Sequence, residues 1–250
     1  DRGDEVKAFV WIALAVATLG VGGFLVAQPA GEPCLAQYAT DLTARTRNQR
    51  HNAVLSAQFL DGTVVGPGEV LSFNEEVGSW SRDVGYRKAP VSYNGQLIPS
   101  WGGGVCQTST TLYNAGLLGG LEVVERSPHR FATGYCPPGR DSAVAFHGID
   151  LKLRNAYSFP IRIEAKPERS QLWVRIYGLK PLKERPQVLT VVRDVSHPMT
   201  FSVNDGGSRA HVRNTGKAGY EVATYRVMGG KKSLISVDTY PVVHRIVEYR

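Results

Sequence analysis

Hydrophobic and polar residues follow three different patterns along the 250-residue chain. The first is the stretch AFVWIALAVATLGVGGFLVA, residues 8–27, which has neither a charge nor a polar face. A helix of these twenty residues spans roughly 30 Å, the thickness of the hydrocarbon core of a bilayer. We therefore predict a transmembrane helix within a membrane anchor at residues 1–30. A cleaved signal segment is the alternative, because VAQPAGE offers small residues.

The second pattern covers residues 39–180, after a linker at residues 31–38, and mixes helix and strand signals. The segment LTARTRNQRHNAVLSAQFLDG has apolar residues at helical spacing and predicts a helix that ends at Asp61-Gly62. The segments GIDLKLRN and FPIRIEA alternate apolar and polar residues with a period of two, which is typical of strands. We predict an α+β fold with a mixed α/β core.

The third pattern, at residues 181–250, contains strand signals alone, in QVLTVVRDV, YEVATYRVM and KSLISVDTYPVVHRIVEYR. Gly229-Gly230 joins the last two of these segments as a hairpin turn would. We predict that residues 181–250 form an all-β ribbon module.

The formal net charge of +7 suits nucleic acid, anionic lipid and an anionic cell-wall polymer equally well. Arg2 and Lys7, just before the predicted transmembrane helix, favour a cytoplasmic N-terminus. We therefore predict a single-pass protein of the cell membrane, anchored by its N-terminal helix, with the main domains outside the cytoplasm.

The chain has three cysteines, Cys34, Cys106 and Cys136, so at least one thiol remains free. We predict that any disulfide joins Cys34 to Cys136 and leaves Cys106 free. The sequence contains no CxxC or HExxH motif, so no metal site is expected.

The stretch SWGGGVCQTSTTLYNAGLLGG contains three glycines, Gly102–Gly104, before Cys106. Glycine permits backbone conformations closed to other residues and lets another chain approach closely. A helix that begins near Val105 would end at Gly119-Gly120, which places Cys106 in its first turn. There the unpaired N–H groups and the helix dipole favour a thiolate, the form that attacks carbonyls, and the same N–H groups can hold an oxyanion.

A thiolate nucleophile also needs a base, and His129 follows the helix and a short strand-like segment, LEVVER. Either Asp141 or Glu125 could orient its imidazole. A Cys-His-acid arrangement is a recurrent device for acyl transfer. The alternative is that Cys106 is an inert buried cysteine and His129 a satisfied surface histidine, since free cysteines are commonly buried.

Four segments together resemble the VanW-like domain, a bacterial family named from glycopeptide-resistance clusters. They are NQRHNAVLSAQFLDGTVVGPGEVLSFNEEVG, GYRKAP, GGGVCQTSTTLYNAGLLGGLEVVERSPH and PPGRDSAVAFHGIDLKLRNAYSFPIRIEA, and the resemblance covers residues 39–180. The tail GKAGYEVATYRVMGGKKSLISVDTYPVVHRIVEYR is similar to the G-five domain, a β-ribbon module of extracellular bacterial proteins.

The resemblance implies a cell-envelope protein that faces peptidoglycan. Some family members look like cysteine L,D-transpeptidases, which cross-link stem peptides through a thioester. The family's Gly-Gly-Gly-x-Cys-Gln, Arg-x-x-His and Gly-x-Asp motifs match, in that order, Gly102, Gly103, Gly104, Cys106 and Gln107, then Arg126 with His129, and Gly139 with Asp141.

From the resemblance we expect three catalytic residues and five substrate-binding residues. The catalytic residues are Cys106, His129 and Asp141, and the substrate-binding residues are Gly103, Gly104, Gln107, Arg126 and Arg140. The arginines are attractive clamps for the carboxylate of a stem peptide.

The expected function is thus a cysteine-dependent acyl transferase on peptidoglycan stem peptides, with no cofactor, no metal and no nucleic-acid partner. A non-catalytic protein that binds peptidoglycan peptide or glycan, linked to envelope maintenance or glycopeptide resistance, is the first alternative. A structural partner of envelope machinery is the second.

Overall fold

The computed structural model describes residues 31–93, 96–146, 148–204 and 206–249. Within these residues the chain forms fifteen strands and three helices. The helices are α1 Arg47–Leu60, α2 Phe73–Val77 and α3 Val105–Leu118. The strands are β1 Cys34–Asp41, β2 Val64–Val65, β3 Val70–Ser72, β4 Lys88–Tyr93, β5 Gln96–Trp101, β6 Glu122–Glu125, β7 Lys152–Arg154, β8 Ile161–Glu168, β9 Gln171–Gly178, β10 Gln187–Ser196, β11 Thr200–Asn204, β12 Ala210–Asn214, β13 Gly219–Met228, β14 Lys231–Tyr240 and β15 Arg245–Tyr249.

The predicted α+β fold class was wrong, because the described chain is mostly β. The helical spacing of α1 and the glycines on either side of α3 were interpreted correctly, but the strand content between the helices was underestimated. Strands as short as β2 and β3 contain two and three residues, too few to show an alternating pattern.

The predictions of a transmembrane helix and of single-pass localisation in the cell membrane also need correction. Within the described ranges, no helix is both long enough and apolar enough to span a bilayer. The longest helices have 14 residues, which corresponds to roughly 21 Å against the 30 Å of a hydrocarbon core. The predicted helix at residues 8–27 lies outside the described residues, so the structure gives the membrane predictions no support.

An antiparallel sheet in the order β1-β9-β8-β2 supports α1 and α3, which pack against it and against each other. Alternate residues of β8, Ile161, Ile163 and Ala165, are buried, as expected for a strand with one face on a core. They join Leu112 and Leu117 of α3 in the main hydrophobic core. The sheet therefore fixes the position of α3, the helix that carries Cys106.

The predicted end of α1 and both predicted ends of α3 agree with the structure. Helix α1 begins after a capping box in which Thr46 and Gln49 each bond the other's backbone, and it ends before Asp61. Helix α3 begins after Gly104, whose φ is 115°, and ends before Gly119. The predicted end of α1 and the predicted start and end of α3 are therefore confirmed, and the capping box of α1 was not predicted.

The strands β10, β13 and β14 form a second antiparallel sheet, with β13 in the middle. Met228 pairs with Lys231 across Gly229-Gly230, and the φ angles of the two glycines are 59° and 70°. Two consecutive residues with positive φ form the turn that suits tight hairpins, so the predicted hairpin is confirmed. We call β13 and β14 together the C-terminal hairpin.

A small sheet in the order β11-β15-β12 lies within the same part of the chain. Residues Glu32–Arg250 form one compact unit. The predicted division into a core at residues 39–180 and a module at residues 181–250 stays a prediction.

Candidate active site

Three glycines allow the start of α3 to lie against its neighbours. A Cβ atom on Gly103 would lie 2.7 Å from the carbonyl oxygen of Ala89 and 2.8 Å from that of Pro90. A Cβ atom on Gly104 would overlap the backbone of Gln49. Gly104 also has a φ of 115°, which other residues rarely adopt. The glycines are thus needed for close packing of the helix start on α1 and β4.

Polar side chains hold the same segment from inside. Gln107 is buried, and its amide donates to Thr40 Oγ1 at 3.0 Å and to the carbonyl of Asp41 at 2.8 Å. Asn52 donates to the carbonyl of Gly103 at 2.9 Å. The structure thus places Gly103 and Gln107 inside the protein, where they contact β1 and α1.

Cys106 occupies the first turn of α3 and is only partly buried. Its thiol lies 3.4 Å from the carbonyl oxygen of Val144 and also contacts the imidazole of His129. Burial alone would raise the pKa of this thiol, but the hydrogen bond and the positive charge of His129 outweigh burial and lower the pKa. Cys106 therefore has the environment of a reactive thiolate.

His129 is oriented by Asp141. Its Nδ1 and its backbone N–H both lie 2.7 Å from Asp141 Oδ2, which leaves Nε2 for Cys106. Burial would lower the pKa of His129, but the bonds to Asp141 and Cys106 raise it to about 10. The imidazole is therefore protonated at neutral pH, as it is in a thiolate–imidazolium pair. Of the two acids considered from the sequence, Asp141 is the partner, and Glu125 pairs instead with Lys152 at 2.8 Å.

Asp141 is 1% exposed and is held by several donors. Arg126 Nη2 lies 3.2 Å from Asp141 Oδ1, and the hydroxyl of Tyr240 donates a short hydrogen bond to the same oxygen. Burial would raise the pKa of Asp141, but the bonds from His129 and Tyr240 lower it. The carboxylate therefore stays ionised beside the histidine.

Arg126 is 4% exposed and lies between two acids. Its Nε donates to the carbonyl of Asp141 at 2.7 Å, and its Nη1 lies 2.5 Å from Asp238 Oδ1. The guanidinium also lies over the ring of Tyr113, 5.3 Å from its centroid. The contacts of Arg126 are therefore directed at the interior of the protein.

Arg140 differs from Arg126 because, in the part of the chain that the structure describes, it has no acidic partner. Its Nε donates to Asn114 Oδ1 at 2.5 Å, and its guanidinium lies 5.7 Å from the centre of the Tyr38 ring. Burial lowers the pKa of Arg140, which remains a cation. A half-buried arginine without an acid is available to an anionic ligand.

Asp238, Tyr240 and Tyr135 also contact the site, and their positions were not predicted from the sequence. Both Tyr240 and Asp238 belong to β14. Tyr240 lies 99 residues from Asp141, and Asp238 lies 112 residues from Arg126, so no local motif indicates these contacts. The ring of Tyr135 meets that of His129 edge-on, with centroids 6.5 Å apart, and its hydroxyl donates to the carbonyl of Cys106 at 3.4 Å.

The predicted disulfide between Cys34 and Cys136 is absent, since all three cysteines are free. Cys34 opens β1 and is exposed, whereas Cys136 interacts with Tyr38, four residues further along that strand. A strand rises about 3.3 Å per residue, so the two thiols are too far apart to bond. The described ranges also contain no group of three or more His, Cys, Asp or Glu residues that could hold a metal ion.

The chain is similar to proteins of one bacterial family. A family model described as VanW like protein matches residues 48–177. Over 151 residues the chain is 39% identical to the uncharacterized protein YoaR of Bacillus subtilis, a match that covers 60% of this chain and 50% of YoaR. Over 113 residues it is 34% identical to the vancomycin B-type resistance protein VanW of Enterococcus faecalis, covering 43% of this chain and 41% of that protein. The chain thus spans half or less of the length of these curated relatives.

One solved structure, the crystal structure of HP0197-G5, aligns along 100% of its own length and 28% of this chain. The sequence identity is 18% and the TM-score is 0.17. A similarity of this size does not define a fold, so the resemblance of the tail to a G-five domain stays a prediction.

Proposed function

The chain belongs to the VanW-like protein family, and we propose that it is a cysteine-dependent acyl transferase acting on peptidoglycan stem peptides. The observation that carries the proposal is the contact between Cys106 and a histidine whose other nitrogen is bound by a buried carboxylate. The relative named as a vancomycin B-type resistance protein supports a substrate in the cell envelope.

The reaction begins when the thiolate of Cys106 attacks an amide carbonyl carbon of the stem peptide. A C–S bond forms, and the carbonyl oxygen becomes an oxyanion. When this intermediate collapses, the C–N bond breaks and the leaving amine takes a proton from Nε2 of His129. The product is a thioester. An acceptor amine then attacks the thioester and gives its proton to His129, which restores the thiolate–imidazolium pair and forms a new amide.

The start of α3 supplies a donor for the oxyanion. The N–H groups of Val105 and Gln107 donate to the carbonyls of Gly102 and Gly104, each at 3.0 Å. The N–H of Cys106 has no acceptor among the residues that the structure describes. An unpaired N–H on the nucleophile itself, at the positive end of a helix dipole, suits a developing oxyanion.

The contacts divide the five expected substrate-binding residues into two groups. Gly103, Gly104 and Gln107 fix the start of α3, and Arg126 fixes Asp141, so these four act through the protein. Of the two arginines, Arg140 is the one that binds the carboxylate of a stem peptide, because Arg126 is paired with two acids and Arg140 has no acidic partner within the described chain.

Intact-protein mass spectrometry tests the proposal after incubation with tetrapeptide-stem muropeptides. We expect an acyl adduct on the wild type, no adduct on Cys106→Ala, and an unchanged adduct on the control variant Cys136→Ala. An unreactive Cys106 and no adduct with any stem peptide would contradict acyl transfer. Binding to purified sacculi that survives Cys106→Ala would then favour a non-catalytic wall-binding protein.

A further inference from the structure

The C-terminal hairpin contacts the candidate active site directly. Tyr240, at the end of β14, is 1% exposed and donates a hydrogen bond to Asp141 Oδ1. Its hydroxyl also accepts a hydrogen bond from the N–H of Gly139 at 2.8 Å. Thr224 of β13 donates to the carbonyl of Gly139 at 3.0 Å. The hairpin therefore holds both Asp141 and the residue two positions before it.

A second contact from β14 reaches the same carboxylate through Arg126. Asp238 pairs with Nη1 of Arg126, and Nη2 of that guanidinium pairs with Asp141. Ser236 donates to the other oxygen of Asp238 at 3.0 Å, which fixes the acid on its own strand. Arg126 is thus held between an acid of the hairpin and the acid that orients the histidine.

The two oxygens of Asp141 have separate partners. Oδ2 faces His129, which binds it through Nδ1 and the backbone N–H. Oδ1 is bound by Tyr240, which belongs to β14, and by Arg126, which is held by Asp238 of β14. A carboxylate that is fixed at one oxygen cannot rotate, so its other oxygen remains directed at the imidazole.

We propose that Tyr240 and Asp238 are positioning residues of the Cys106 site. The C-terminal hairpin therefore contributes to the active site by fixing Asp141. The inference rests on the proposed role of Cys106 as nucleophile. The effect of the hairpin passes through a chain of contacts: Tyr240 orients Asp141, Asp141 orients His129, and His129 stabilises the thiolate of Cys106.

The charged and titratable groups around Asp141 come from several elements. His129, Arg126 and Tyr240 contact it directly, Cys106 lies beyond the histidine, and Tyr113 and Asp238 lie beside Arg126. Tyr240→Phe removes one donor to Oδ1 and leaves this set of charges unchanged. A change in the pH profile of Cys106 would therefore report the orientation of the carboxylate.

The test is the pH dependence of Cys106 alkylation by iodoacetamide in the whole chain. Tyr240→Phe should raise the midpoint of the profile by about half to one pH unit and slow acylation by stem peptides about tenfold, as expected for the loss of a charge-assisted hydrogen bond. The matched control is Tyr157→Phe, which removes a 2.7 Å bond from a tyrosine hydroxyl to the carbonyl of Gly119, at the opposite end of α3. The control should lose similar thermal stability and keep the wild-type profile.

Identical alkylation profiles for the wild type, Tyr240→Phe and Tyr157→Phe would overturn the inference, because Tyr240 would then be structural only. If Tyr240→Phe does not fold, Asp238→Asn decides by the same measurement, with a smaller upward shift expected. A shifted profile in Tyr240→Phe without any acyl adduct on the wild type would contradict acyl transfer and still support the positioning role.

Discussion

Cys106 and Cys136 are both partly buried and both lie near Asp141, yet the pKa of the Cys106 thiol is lowered and that of the Cys136 thiol is raised. The imidazole of His129 contacts Cys106 and lowers the pKa of its thiol despite burial. The thiol of Cys136 lies 3.2 Å from the hydroxyl of Thr133, and burial raises its pKa to about 12. Burial by itself therefore makes a thiol inert, and a protonated imidazole held beside it reverses the effect.

The largest expected difference between the two cysteines is their rate of alkylation at pH 7. The thiolate fraction of Cys136 is about 10⁻⁵ at a pKa of about 12, whereas that of Cys106 exceeds about 10⁻², because its pKa lies below the usual value of about 8.5. A thiolate of lower pKa is intrinsically less nucleophilic, which offsets part of this ratio. We expect Cys106 to be alkylated at least about 10² times faster, as measured by mass spectrometry of the two labelled peptides.

Urea-denatured protein provides the control for this comparison, since both thiols should then react at similar rates. Equal rates in the native protein would show that His129 does not activate Cys106, and the thiolate–imidazolium pair would have to be abandoned.

The next largest effect is expected from removal of the imidazole. His129→Ala should slow acylation of Cys106 by about 10² to 10⁴, the usual contribution of a positioned base, and should raise the pKa of the Cys106 thiol. Asp141→Asn should cost less, because that residue orients the ring and does not transfer the proton. Stopped-flow or quench measurements of thioester formation test both variants.

Cys136 serves as the internal reference for His129→Ala, and its alkylation rate in the native protein should not change in that variant. Asp141→Asn removes a negative charge that raises the pKa of Cys136, so a modest rise in Cys136 labelling is expected there. A rise in Cys136 labelling in His129→Ala would indicate local unfolding, and the kinetic loss could then not be assigned to the missing imidazole.

The smallest effect concerns stability at high pH. The pKa of Cys136 is raised to about 12 in the folded protein, so above the unfolded value of about 8.5 the folded chain holds a proton that the unfolded chain has lost. Stability from this thiol is complete below about pH 8.5 and falls as the pH rises, by at most about 1.4 kcal/mol per pH unit. Urea unfolding between pH 8 and 10.5 should therefore show a shallower decline for Cys136→Ala than for the wild type. Parallel declines would mean that Cys136 titrates normally.

Local sequence signals predicted the parts of the fold that depend on neighbouring residues. The C-terminal end of α1, both ends of α3 and the hairpin at Gly229-Gly230 follow from helical spacing, glycines and turn residues, all within a few positions. Cys106, which follows three glycines, and His129, which follows the next strand, were also expected to lie together, and their side chains are in contact. Their roles as nucleophile and base stay predictions. The structure then selected Asp141 over Glu125 as the partner of the imidazole.

The remaining features depend on contacts between distant residues. Nothing near Tyr240 or Asp238 in the sequence indicates that they meet Asp141 and Arg126. The buried position of Arg126 was missed for the same reason. Its neighbours in the sequence do not show that it lies between two buried acids, because both acids come from distant segments. The mostly β fold was missed because several strands are too short for a periodic signal.

The long separation between the partners of the carboxylate also bears on how the protein folds. Closing a loop of the 99 residues between Asp141 and Tyr240 costs about 4 kcal/mol of chain entropy, which the packing of β13 and β14 helps to offset. Contacts of such high contact order form late. During refolding, the protected backbone amides of α3 should therefore appear before the fast-reacting thiol, and a partly folded chain carries a cysteine of ordinary reactivity. We therefore expect the hairpin to set the moment in folding at which the pKa of Cys106 is lowered.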